Sequence, residues 1–131
     1  MFVDASAWVA IILREPERER FRMAIADAEA ILTSPLAIWE TVRAATRETK
    51  DPVDVVRARL MGILASIDAR IVAIGAEEGR IALDAHARFG KGVHPARLNM
   101  GDCFSYACAK VHGVPLLYKG EDFALTDIEA A

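Results

Sequence analysis

Four short apolar runs punctuate the chain, and longer stretches with helical spacing separate them. The runs are Phe2–Asp4, Ala30–Thr33, Arg70–Ile74 and Val114–Tyr118. Their length and branched side chains read as short strands. After the first run, Ala5–Leu13 predicts a helix capped near Ser6, because its alanines disfavour a strand. Pro16 suits the first turn of a second helix, whose apolar positions Phe21, Ile25 and Ala28 keep helical spacing. Ser34-Pro35 predicts the N-cap and first residue of a third, which carries Leu36, Trp39, Glu40, Arg43 and Arg47. Asp51-Pro52 predicts a similar start for a fourth, with Val53, Val56, Leu60, Ile63, Leu64 and Ile67 on one apolar face. Ala76–Phe89 reads as a fifth. Asn99 caps a sixth that runs through Val111 and stops at Gly113. Gly90–Leu98 is irregular, and Thr126–Ile128 reads as a last edge strand. This alternation predicts an α/β fold around a parallel sheet.

Composition narrows the classes. The chain has 131 residues, 53% of them hydrophobic, which suits one folded domain over 1–131 and excludes a disordered chain. Its apolar runs fall short of the ~20 residues that a membrane span needs. Asp4 stands where a secretory leader would be basic, so a cytoplasmic protein is expected. Cys103 and Cys108 share one helical stretch and read as buried thiols. A net charge of −3 argues against a generic nucleic-acid binder but leaves room for a local basic patch.

In parallel α/β sheets, sites form beyond the carboxyl ends of the strands. Asp4 ends the first strand, and Asp122 follows the last one and its Lys119-Gly120 turn. Asp102 lies in the first turn of the Asn99 helix, and Glu40 in the second turn of the Ser34 helix. Each has a plain structural alternative: a turn or cap for Asp4 and Asp122, the helix dipole for Asp102, pairing with Arg43 or Arg47 for Glu40. Together they would repel one another, and a divalent cation relieves that repulsion. Hard oxygen ligands select Mg²⁺ or Mn²⁺ over zinc, and the chemistry that follows is phosphodiester hydrolysis.

The motifs around these acids resemble the PIN-domain ribonucleases, in particular the VapC toxins of type II toxin–antitoxin systems. Phe2-Val3-Asp4-Ala5-Ser6-Ala7 is similar to that family's first motif. Asn99-Met100-Gly101-Asp102-Cys103, continuing through Tyr106 to Ala109, is similar to its third-acid motif. Leu116 to Phe123 with Thr126-Asp127-Ile128 resembles its C-terminal motif. With Glu40 between them, the likeness spans nearly the whole chain. It implies a three-layer α/β/α PIN fold and a Mg²⁺-dependent endoribonuclease. It further implies a homodimer inhibited by a VapB-like antitoxin. Carried over by motif, Asp4, Glu40, Asp102 and Asp122 form the acidic cluster, Ser6 orients a carboxylate or a metal-bound water, and Thr126 supports the site. Glu121 departs from the family's usual Asp or Asn.

Other residues give weaker signals. Arg88, Lys91, His94 and Arg97 suit either a grip on RNA phosphates or a solvated loop. His86, His94 and His112 lack metal-ligand spacing. Trp8 and Trp39 read as core, although Trp39, next to Glu40, also suits contact with a base or a partner helix, and Met23, Met61 and Met100 read as packing. Helices Glu17–Ala28 and Pro35–Thr49 suit an antitoxin groove. A phosphoacceptor signalling domain is the rival of another class, but Ile71-Val72-Ala73-Ile74 offers no acceptor Asp. The alternative within the fold is an RNA- or partner-binding protein whose nuclease has lapsed.

Overall fold

Four strands, β1 (Phe2–Val3), β2 (Leu32–Thr33), β3 (Arg70–Ile71) and β4 (Leu116–Leu117), pair in parallel in the order β3-β2-β1-β4. The computed structural model describes all residues, 1–131. Phe2 faces Leu32 on one side and Leu116 on the other, while Leu32 and Thr33 face Arg70 and Ile71. Each strand is shorter than its apolar run. The flanking residues leave the ladder to enter helices or turns.

Six helices cover the sheet: α1 (Ala5–Ile12), α2 (Arg18–Ala26), α3 (Pro35–Thr49), α4 (Val53–Ser66), α5 (Ala76–Phe89) and α6 (Met100–His112). Strand alternation sorts the core into two halves. Val3 and Leu117 pack with Trp8, Phe21, Val42, Val56 and Leu60 beneath α1 to α4. Phe2, Leu32 and Leu116 pack with Phe89, Leu98, Tyr106 and Cys108 beneath α5 and α6. The result is the expected three-layer α/β/α arrangement. Both cysteines are free and buried, and burial pushes their thiols up to about 11 and about 12.

Local chemistry explains the helix ends. Ser34 caps α3 by accepting from the Ala37 amide at 3.1 Å, with Pro35 in the first turn. Asn99 caps α6, and its side chain and that of Asp102 each accept from the other's backbone amide. Gly113 ends α6 with φ at 61°, a left-handed conformation that costs glycine little.

Several expectations are corrected. Asp4 caps α1 in place of Ser6, because its carboxylate accepts from the Ser6 amide. Pro16 precedes α2, which opens at Arg18 after Glu17. Asp51 does not cap α4: Pro52 takes the flanking position, and the Asp51 carboxylate accepts from Arg59 at 3.3 Å. Thr126–Ile128 is not an edge strand. A 3₁₀ turn over Phe123–Leu125 ends at Thr126, and the chain touches the sheet later, through a bridge from Leu116 to Ala130. Trp8 is core, but Trp39 is exposed, as are Met23, Met61 and Met100. No helix is long and apolar enough to cross a membrane.

Candidate active site

The carboxyl ends of β1 and β4 and the starts of α1, α3 and α6 meet at one edge of the sheet. There Asp4, Ser6, Glu40, Arg43, Asn99, Asp102 and Lys119 line a cleft of about 320 Å³. Three of the four expected acids thus share one opening. Asp122 does not line it, and sits exposed at the start of the 3₁₀ turn. Its charge still contributes to the field at Asp102.

Asp4 is buried and held from one side. The Ser6 amide and hydroxyl both donate to its Oδ2, at 2.8 and 2.6 Å. These charge-assisted bonds orient the carboxylate and leave Oδ1 without a protein donor. Ser6 Oγ also accepts from the Lys119 amide at 3.0 Å, which ties the turn after β4 to the start of α1. Lys119 Nζ donates to Glu15 at 2.8 Å and pairs with Glu17 at 3.4 Å, fixing the same turn to the α1–α2 connection.

Asp102 lies partly buried in the first turn of α6. Burial raises its pKa most and the neighbouring charges of Asp4, Asp122 and Glu40 raise it further. The Asn99 amide pulls the other way, and the net result is about 7. Glu40 is shifted upward as well, first by burial, then by Asp4, with Arg43 opposing. Burial is the larger cause of both shifts, and the neighbouring carboxylates add to it. Glu40 owes its place to a residue that motif reading left without a role. Its carboxylate lies against Gly101, in the space that a side chain there would fill. Only glycine admits that approach.

The donor set fits a hard divalent cation: carboxylate oxygens alone, one buried and oriented, two with excess proton affinity. No three acidic, cysteine or histidine groups are already closed around one point, so binding an ion would draw Asp4, Glu40 and Asp102 together. Thr126 is not brought to the cleft; its hydroxyl donates to the Phe123 carbonyl and steadies the 3₁₀ turn. The basic residues of the Gly90–Leu98 region also lie away from it. Arg88 is committed to Asp127 at 3.1 Å, and His94 Nδ1 accepts from the Ala96 amide.

Comparison with known proteins agrees with this geometry. The chain is 43% identical to a VapC ribonuclease of Rhizobium meliloti, covering 97% of this chain and 98% of that protein. Its fold matches VapC20 of Mycobacterium tuberculosis, a toxin that cleaves the sarcin-ricin loop. The TM-score is 0.79 at 19% identity, over 99% of this chain and 97% of the other. A toxin–antitoxin complex from Klebsiella pneumoniae matches with a TM-score of 0.67 at 17% identity, over 96% and 92% of the two chains. Residues 1–129 match the PIN domain. With an acidic cleft at the carboxyl edge of a parallel sheet and full-length likeness to these proteins, the chain belongs to the PIN-domain family.

Proposed function

We propose that this protein is a Mg²⁺-dependent endoribonuclease of the VapC type, the toxin of a type II toxin–antitoxin pair, with its whole length acting as one unit. The observation that carries the reading is the convergence of Asp4, Glu40 and Asp102 in one cleft, two of them with raised proton affinity. Naming of the similar full-length relatives as VapC ribonucleases supports the substrate class.

Asp4 and Asp102 would hold the ion, with Glu40 beside them and Asp122 contributing charge from the rim. When bound, a divalent ion polarises the scissile phosphate and lowers the pKa of the attacking water. The protein's own groups do the rest. Ser6 keeps Asp4 in one orientation. Glu40, with its raised basicity, is placed to take a proton from water in the cleft. Arg43 brings positive charge to the cleft wall, where phosphate oxygens would approach.

The partner reading rests on a second feature. A cavity of about 670 Å³ opens between α1, α2 and α4, floored by Trp8, Ile11, Ile25 and Ile63. Arg14, Arg18, Arg22 and Arg59 also line it. Their existing pairs, to Glu19 and Asp51, are exposed and weak. Arg18 Nε is buried without a hydrogen-bond partner. Such a groove suits an amphipathic antitoxin segment carrying acids beside its apolar face. It is built from α1, α2 and α4, whereas the sequence pointed to α2 and α3. The protein would act in the cytoplasm as a homodimer, on RNA.

The deciding experiment is cleavage of total cellular RNA by partner-free protein, with Mg²⁺, Mn²⁺ or EDTA, and Asp102→Asn as control. Discrete fragments that require metal and vanish in the variant are expected. Intact RNA from folded, metal-binding protein would turn the reading to a binding protein with lapsed catalysis.

A further inference from the structure

Trp39 stands one residue before Glu40 on α3 and is 58% exposed. An indole so exposed forfeits the free energy that burial would bring. The chain's other tryptophan shows the contrast: Trp8 is fully buried and donates to Thr33 Oγ1 at 3.1 Å. Four residues further along α3, the Arg43 guanidinium lies 5.6 Å from the Trp39 ring centroid. Arg43 also lines the carboxylate cleft. One side chain thus links an open aromatic face to the site. Arg47 is exposed one turn beyond on the same helix, where it pairs with Glu48 at 3.4 Å.

We infer that Trp39 and Arg43 form a stacking platform for an unpaired base of the RNA, next to the scissile phosphate. This rests on the ribonuclease reading above and adds to it a site for a base. Unstacked bases settle on aromatic rings and guanidinium planes, and every base offers such a face. Arg43 serves both halves of a nucleotide, as one cation against the indole and near the phosphate path. An apolar protein segment fits the surface worse, because covering Trp39 would strip water from Arg43 and offer it no anion. The platform also addresses a problem of the cleft itself. Three carboxylates repel a polyanion, and an attractive site beside them holds the strand in place.

The two tryptophans make the test direct. Trp8 is shielded, so changes in emission on adding RNA report Trp39. Asp102→Asn protein, expected to bind without cutting, is titrated with a single-stranded RNA oligonucleotide and with the same sequence as a duplex. The single strand is expected to quench the emission strongly and the duplex little. The quenching disappears when Trp39→Phe is added to the same protein. In steady-state cleavage by otherwise wild-type protein, Trp39→Ala raises KM by about ten-fold with a smaller change in kcat, and Trp39→Phe recovers most of the loss.

Metal-dependent cleavage with an unchanged KM in Trp39→Ala would overturn the platform while leaving the ribonuclease reading intact. So would a Trp39 shielded from iodide in RNA-free protein, since a second copy would then cover it. Absence of cleavage by wild-type protein would remove the ribonuclease reading, and the platform with it.

Discussion

The Glu40 carboxylate lies against Gly101, across the gap between α3 and α6, where a Cβ would stand. The nearest atoms to that position all belong to the Glu40 carboxylate, the far end of a flexible side chain. Gly101→Ala therefore separates folding from activity. Alanine favours the helix by up to about 1 kcal/mol, so the melting temperature should hold or rise. Glu40 must swing away, and displacement of a reacting group by an ångström costs about 100-fold in rate. The expected result is a stable protein with cleavage down by one to two orders of magnitude, measured by melting and by initial rates on one RNA. A Gly101→Ala enzyme of wild-type rate would show that Glu40 need not stay where it is.

That contact also marks the limit of what the sequence showed. The strand runs, the Ser34 and Asn99 caps and the Gly113 stop were legible because each is local chemistry. So was the grouping of Asp4, Glu40 and Asp102, since parallel strands bring their carboxyl ends to one edge. What failed depended on distant partners. Trp39 has the same apolar character as Trp8, and only the packing of α3 decides that it faces out. Thr126–Ile128 has strand composition, yet the 3₁₀ turn before it delays contact with the sheet until Ala130. Gly101 sits in a matched motif, but its signal is the absence of a side chain, legible only beside Glu40.

Asp102 predicts a pH signature. In the metal-free protein its pKa stands at about 7 against an ordinary 3.8, chiefly through burial. Between those values the folded protein holds a proton that the unfolded chain has released. Stability from this group is therefore complete below the ordinary carboxylate range and is lost as pH rises through about 7. Glu40, shifted the same way, adds to the slope. In EDTA, the melting temperature should fall as pH rises from about 5 to about 8, and Asp102→Asn should flatten part of that fall. A divalent ion competes with the proton, so Mn²⁺ affinity by calorimetry should strengthen with pH and level off above about 7. Affinity that is flat from pH 5 to 8 would mean that Asp102 is not a ligand.

The arginine-lined groove predicts a variant that escapes its partner. Arg18 carries a buried, unpaired Nε there, and Arg22 stands one turn along α2. Reversing both charges, Arg18→Glu with Arg22→Glu, sets like charges against an acidic segment. Each such pair that loses its partner costs on the order of 2 kcal/mol or more. Inhibition by the antitoxin should weaken by at least about 100-fold, while metal-dependent cleavage persists, because neither residue lines the carboxylate cleft. Co-purification of the double variant with the antitoxin at wild-type strength would move the interface elsewhere.

Ser6 offers the sharpest test of how the site is held. Its hydroxyl donates to Asp4 Oδ2 at 2.6 Å and accepts from the Lys119 amide at 3.0 Å. Ser6→Ala removes both bonds and leaves Asp4 with the Ser6 amide alone. Loss of a hydrogen bond to a charged group costs about 1.5–3 kcal/mol, and loss of a group that orients a metal ligand weakens metal binding by about 10–100-fold. Lys119→Met is the instructive partner. It deletes the ion pairs to Glu15 and Glu17 but keeps the backbone amide that reaches Ser6. If the hydroxyl positions Asp4, Ser6→Ala should lose Mn²⁺ affinity by calorimetry and Lys119→Met should largely keep it. If both lose it equally, the turn after β4 as a whole, and with it Asp122, sets the site's affinity.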